Sequence, residues 1–162
     1  TVYPGLYYKD TMVAVETAGA IAQMTHWDKK STEACNFYTE MIHLITESIS
    51  REEALQIIRD VLKDSEYSLK ARKQLKPTGY VVDSFNCALH SIAATVTFED
   101  AIIEAANLGG DADTIAAIAG GLAGAIYGYN EIPERWIRTL APKIREQLDR
   151  LVDAAVKNRE GR

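Results

Sequence analysis

The chain lacks any surplus of positive charge. Its 18 Lys and Arg are outnumbered by 23 Asp and Glu, for a formal net charge of -5, and there is no basic run. Nucleic acids and anionic membranes are recognised through basic patches, so neither is expected as a main partner. Lys157, Arg159 and Arg162 near the end are too few to make such a patch. Long apolar runs are missing too. The longest, Ile115 to Tyr129, falls short of the roughly 20 residues that a membrane-spanning helix needs and is interrupted by glycine, so a buried core helix is expected there. No secretory signal pattern is visible. Cys35 and Cys87, the two cysteines, have no metal-ligand spacing. Small buried hydrophobes are their expected role, with a single disulfide left open, and two isolated thiols fit a reducing, cytoplasmic compartment.

What the chain has is the composition of one globular domain: 162 residues, 47% hydrophobic and 25% charged. No stretch alternates with period two, and apolar residues recur at helical spacing nearly throughout. Asp10 is placed to cap a first helix running to about Gln23, with Met12, Val15, Gly19 and Met24 as inward candidates. After a Thr25 to Lys30 loop, a second helix is expected from Thr32 to Ile49, with Phe37, Met41, Leu44, Ile45 and Ile49 as its apolar stripe. Ser50 with Glu53 reads as a capping box that opens a third at Arg51 and buries Ala54, Leu55, Ile58 and Leu62. Pro77 and Gly79 break the chain before a helix from Asp83 to about Thr95. Thr97 with Asp100 caps the next, Phe98 to Asn107, while Pro133 and Pro142 start the last two.

The stretch from Leu108 to Gly128 organises the rest. Gly109 and Gly110 free the backbone to take positive φ, and Asp111, Asp113 and Thr114 then set three oxygen-bearing side chains at the mouth of a helix. A Gly-Gly turn into a helix N-terminus alone would suit phosphate. Two carboxylates reverse that preference and suit a hard divalent cation such as Mg²⁺. The alternative is an N-cap, in which Asp111 or Asp113 merely accepts backbone N–H bonds. An EF-hand is excluded because its further acidic positions, its glycine and its twelfth-position Glu are missing. A phosphoryl-transfer Asp-x-Asp-x-Thr motif would follow a buried strand, whereas a helix precedes this one and Thr114 comes one residue too early. Gly120, Gly124 and Gly128 recur every fourth residue, so one side of the helix is expected to admit a neighbour very closely.

Asn107-Leu108-Gly109-Gly110-Asp111-Ala112-Asp113-Thr114-Ile115-Ala116-Ala117-Ile118-Ala119-Gly120 resembles the C-terminal signature of the ADP-ribosylglycohydrolases. Gly79-Tyr80-Val81-Val82-Asp83-Ser84 is similar to the family's Gly-Tyr-Val-x-Asp-Thr, and Phe98-Glu99-Asp100-Ala101-Ile102 to its Phe-Glu-Glu-Ala-Ile. Thr25-His26-x-Asp28 and Ile132-Pro133-x-x-Trp136 match two further pieces in order and spacing, from about Pro4 to Leu140. No stretch matches the family's Gly-Asp-Ala-type opening, its Thr-Asp-Asp metal motif or its Gly-Asn-Gly segment.

The resemblance implies an all-α fold: a compact orthogonal multi-helix domain of that type, without the family's N-terminal helices. Residues 1–162 would then be the C-terminal part of a single domain, a trimmed fragment, a nicked piece or a separate subunit, since the chain opens on Thr1 rather than Met. It implies Mg²⁺-dependent hydrolysis of the bond between ADP-ribose and an acceptor, with two ions in the complete site and Mn²⁺ as a substitute. Asp111, Asp113 and Thr114 would be metal ligands, and His26, Tyr80 and Gly110 would line the substrate site. The general acid or base would lie in the absent half, leaving no catalytic residue to name here. The expected partners are an ADP-ribosylated substrate and the absent half, a second chain or a further copy of this one. A non-catalytic ADP-ribose or nucleotide-binding module on the same fold is the alternative. His43, His90, Trp27 and Trp136 are expected to be structural, and Arg135, Arg138 and Arg145 to form a solvated face.

Overall fold

The computed structural model describes residues 2–48 and 50–161. Among them are nine α-helices and no strand: α1 (Val2–Tyr7), α2 (Thr11–Gln23), α3 (Lys29–Ile45), α4 (Arg51–Val61), α5 (Val81–Ala94), α6 (Phe98–Asn107), α7 (Ala112–Tyr127), α8 (Glu134–Thr139) and α9 (Pro142–Glu160). The caps that the sequence offers are used. Asp10, Ser50 and Thr97 accept from the backbone N–H groups of Val13, Glu53 and Asp100 at 3.0, 3.1 and 3.0 Å. Asp28 does the same for Ser31 at 3.0 Å, which is why α3 starts at Lys29, earlier than expected. It ends at Ile45; Ile49, placed on its stripe from sequence, lies outside the described residues.

The interior is built on α3, α4, α5 and α7. Met41, Ile42, Ile45, Ile58, Leu89, Ile92 and Leu122 are all fully buried in one cluster. Cys87, Ala88, Ala105, Ile115 and Ala119 form a second, smaller one between α5, α6 and α7. Neither Cys35 nor Cys87 is in a disulfide, and burial raises the Cys87 thiol above its ordinary pKa. Arg51 ties the core's ends together: its Nη2 donates to Ile92 O and Ala93 O, both at 3.2 Å, and its Nε to the Tyr127 hydroxyl at 3.1 Å, so one guanidinium serves the last carbonyls of α5 and the end of α7.

Two packing expectations are corrected. On α2 the inward residues are Ala14, Ala18, Gly19 and Ala22, while Met12 and Met24 stand in solvent. Small side chains win that face because α2 lies directly along α3: a Cβ on Gly19 would come within 2.9 Å of the Asn36 side chain. On α7 the close approach is at Gly121, where a Cβ would fall 2.1 Å from the Tyr38 hydroxyl and 2.9 Å from Val2. Tyr38 crosses there to donate to Ile118 O at 2.7 Å. Gly120 meets only Ile102 at 3.5 Å, and around Gly124 and Gly128 nothing lies within 4 Å. The four-residue glycine row is thus not the contact; the residue one place beyond its start is.

No described helix is long and apolar enough to cross a membrane. α9 touches chiefly α1, and of its 19 residues Ala155 alone is buried.

Candidate functional site

The turn into α7 is held open by two glycines in the left-handed region, Gly109 at φ +77° and Gly110 at φ +59°. Gly110 is required twice over. A Cβ there would fall 1.7 Å from Pro77 O, the carbonyl that also accepts from Asp111 N at 3.2 Å. The turn is therefore clamped to the segment before α5. Gly79 completes the junction: a Cβ on it would stand 3.2 Å from Asp111 Oδ2, so the carboxylate occupies the space that glycine leaves.

Asp111 sits at the N-cap position of α7 (φ -83°, ψ 54°), yet its side chain caps nothing. Its Oδ1 accepts instead from the Thr114 hydroxyl at 3.1 Å. Asp113, in the first turn, is exposed. Among the described residues no ion pair includes either carboxylate. A capping role for Asp111 is thereby set aside, and two acidic groups plus a hydroxyl share one mouth to which no described basic side chain is paired. That donor set is all oxygen, as Mg²⁺ prefers. It is also incomplete, because no group of three His, Cys, Asp or Glu among the described residues could hold a metal ion. The residues fit part of a coordination shell.

The structure brings Gly110 and Asp111 against Pro77 and Gly79, with Thr114 bonded to Asp111. Tyr80 is half-exposed at the N-cap of α5, with its N–H donating to Thr78 Oγ1 at 3.2 Å and the Thr78 hydroxyl donating to Asp83 Oδ2 at 3.0 Å. His26 bonds to its own loop and to the end of α2: Nδ1 lies 2.9 Å from Thr25 Oγ1, and its N–H donates to Ala22 O at 2.9 Å. The link from that loop to Tyr80 runs through Lys30, whose Nζ lies 5.9 Å from the Tyr80 ring centroid and donates to Glu66 Oε2 at 3.0 Å. Neither Lys30 nor Glu66 stands out in the sequence. One weak signal existed: Lys29 and Lys30 fall in the first turn of a helix, the end that disfavours cations, so one of them needed an acidic partner.

Next to this junction lies an apolar cleft of about 260 Å³, lined among others by Cys35, Tyr38, Val81, Phe85 and Ala117. Val81 follows Tyr80 and Ala117 is one turn beyond Asp113, so the cleft opens beside the acidic mouth. A larger apolar groove of about 570 Å³, between α1 and α9, meets it at Val2.

The remaining expectations divide. His43 is buried with Nδ1 3.1 Å from Gly5 O, and His90 has Nδ1 2.8 Å from Lys70 O, so both serve packing. Trp136 packs on Phe98. Trp27, expected to be structural, is 85% exposed, because the loop holds it outside every helix interface. Arg135 pairs with Glu99 and lies over Trp136, and Arg138 pairs with Glu134, both on a solvated face.

Residues 2–162 match the model of the family described as ADP-ribosylglycohydrolase. Over 128 residues the chain is 36% identical to the ADP-ribosylarginine hydrolase Tri1 of Serratia proteamaculans, an alignment covering 75% of this chain and 35% of that protein. It is 34% identical over 139 residues to the ADP-ribosyl-[dinitrogen reductase] glycohydrolase of Rhodospirillum rubrum, covering 83% of this chain and 46% of the relative. A 35-residue stretch is 54% identical to human ADP-ribosylhydrolase ARH3, 22% of this chain and 10% of that one. The chain spans less than half the length of these relatives.

Proposed function

We propose that this chain, which belongs to the ADP-ribosylglycohydrolase family, supplies the Asp111–Asp113–Thr114 part of a Mg²⁺-dependent site that hydrolyses the bond between ADP-ribose and its acceptor. One observation carries this reading: Asp111 occupies a capping position without capping, and it shares an ion-pair-free mouth with Asp113. The names of the relatives, an ADP-ribosylarginine hydrolase and an ADP-ribosyl-[dinitrogen reductase] glycohydrolase, support ADP-ribosylated protein as the substrate class.

In this reading Asp111 and Asp113 would hold the cations by their carboxylates, and the Thr114 hydroxyl, which donates to Asp111 Oδ1, would fix that carboxylate's rotamer. Mg²⁺, when bound, would orient the ribose hydroxyls and a water and stabilise the charge that develops as the glycosidic bond breaks. Gly110 lets ligand and backbone approach closely, and Tyr80 and His26 wall the substrate. The apolar cleft beside the mouth excludes water from one flank. Two cysteines outside any disulfide support a reducing, cytoplasmic setting.

Three oxygen donors are too few for two near-octahedral shells. The remaining ligands and the general acid or base are therefore assigned to polypeptide beyond residues 1–162 or to another chain. The exposed Ala117 on an otherwise apolar helix supports such a cover. The same shortage of ligands favours, for residues 1–162 alone, binding of ADP-ribose without turnover. Sedimentation and an ADP-ribosylarginine hydrolysis assay on the purified chain test this. Association, or a monomer with little or no turnover, is expected; a compact monomer with full metal-dependent activity would overturn the division of the site.

A further inference from the structure

We propose that Lys30 is a positioning residue: its ammonium, aimed by Glu66, holds the Tyr80 ring in place as a wall of the substrate site. The inference rests on the reading above only in taking Tyr80 as that wall.

Three contacts converge on Lys30. Its Nζ pairs with the Glu66 carboxylate at 2.9 Å to Oε1 and 3.0 Å to Oε2. Its backbone carbonyl accepts from the Tyr67 hydroxyl at 3.0 Å. Its ammonium lies 5.9 Å from the Tyr80 ring centroid, inside the range of a cation–π contact. Tyr67 is itself fixed, 2% exposed and edge-on to both Phe37 and Phe85. Glu66 and Tyr67 therefore form a rigid bracket that locates both ends of the Lys30 residue. The carboxylate, and then the Tyr80 hydroxyl, keep the ammonium charged well above its ordinary range.

Tyr80 needs such a hold. Its ring is 49% exposed, and its own α5 gives it no side-chain cap bond. The backbone of Tyr80 is fixed through Thr78, but a half-exposed aromatic ring otherwise rotates among rotamers. Lys30 stands in the first turn of α3, directly after the loop that carries His26. By gripping the ring it also fixes the gap between the Thr-His-x-Asp loop and the Gly-Tyr-Val segment.

The test uses the full chain with its tyrosine rings ¹³C-labelled, the Tyr80 signals being assigned by Tyr80→Phe. In Lys30→Met and in Glu66→Gln the Tyr80 ring signals should shift and sharpen toward free rotation while those of buried Tyr38 stay put, and Lys30→Arg should restore them. Titration with ADP-ribose and Mg²⁺ should show a dissociation constant raised about two- to fivefold in Lys30→Met, the size of an exposed cation–π contact, and recovered in Lys30→Arg. Unmoved Tyr80 signals in both Lys30→Met and Glu66→Gln would overturn the proposal, as would moved signals with an unchanged dissociation constant. A wild-type chain that binds no ADP-ribose would strike the functional reading instead, and the ring spectra would still decide whether Lys30 holds Tyr80.

Discussion

Helices α7 and α9 are of similar length and stand in opposite situations. α7 is lined by α3, α4, α5 and α6, and its Ile115, Ala119, Leu122 and Ala123 are wholly enclosed. α9 carries an equally regular apolar row, Ile144, Leu148, Leu151, Val152 and Val156, each between 45% and 59% exposed. The first is glycine-rich and polar only at its mouth; the second is rich in charge and capped by Gly161 in the left-handed region. Helical sequence pattern predicted both equally well. α7 is held from several sides and α9 chiefly by α1, and the acidic turn at the head of α7 shares in that hold.

The comparison can be broken most sharply by truncation. Leu122→Ala removes a side chain with no exposure and should lower stability by about 2–5 kcal/mol, whereas Leu151→Ala on α9 should cost less than about 1 kcal/mol, since nearly half of its area is already in water. Chemical denaturation of the two variants decides it, and equal losses would mean that α9 is buried in solution. Gly121→Leu should come next, destabilising by about 1–3 kcal/mol or more through collision with Tyr38 and Val2. Gly124→Ala, three residues on, should raise stability by about 0.5–1 kcal/mol, because nothing crowds it and alanine is the better helix former. Opposite signs for two glycines of one helix would separate packing from propensity.

A pH effect sharpens the picture from the other side of the core. Burial, with the nearby Glu66 and Glu33 carboxylates adding to it, pushes the Tyr67 phenol up from 10.0 to about 12. The neutral phenol is favoured in the folded chain, so its contribution is complete below pH 10 and is lost as pH rises from 10 toward 12. Thermal melting should therefore fall over that window, and Tyr67→Phe should flatten the fall while lowering the plateau, since it removes the bond to Lys30 O.

Much of this was legible in the sequence because the signals were local. Asp10, Ser50, Thr97 and Pro142 mark helix starts by chemistry that acts within four residues, and the two glycines before Asp111 announced a positive-φ turn that the structure contains. What failed was non-local. Periodicity counted Met12 and Met24 as inward, but which face of α2 is buried depends on how closely α3 lies. The glycine row was read on the right helix and the wrong residue, since only the tertiary path of Tyr38 singles out Gly121. Likewise Asp111 could be placed in the mouth from sequence, while the clamp by Pro77 and the space left by Gly79 required the fold. Lys30 and Glu66 lie 36 residues apart, and no local rule joins them.

The central claim is that Asp111 and Asp113 are metal ligands rather than caps. Titration of the chain with Mn²⁺, followed by water-proton relaxation or calorimetry in whatever assembly it forms, tests this most directly against the Asp111→Asn, Asp113→Asn double variant. The account predicts binding by the wild type that Mg²⁺ displaces, its loss in the double variant, and unchanged helicity with equal or slightly higher stability, because two like charges no longer repel. Equal metal binding by both proteins, or a loss of helix in the variant, would contradict it.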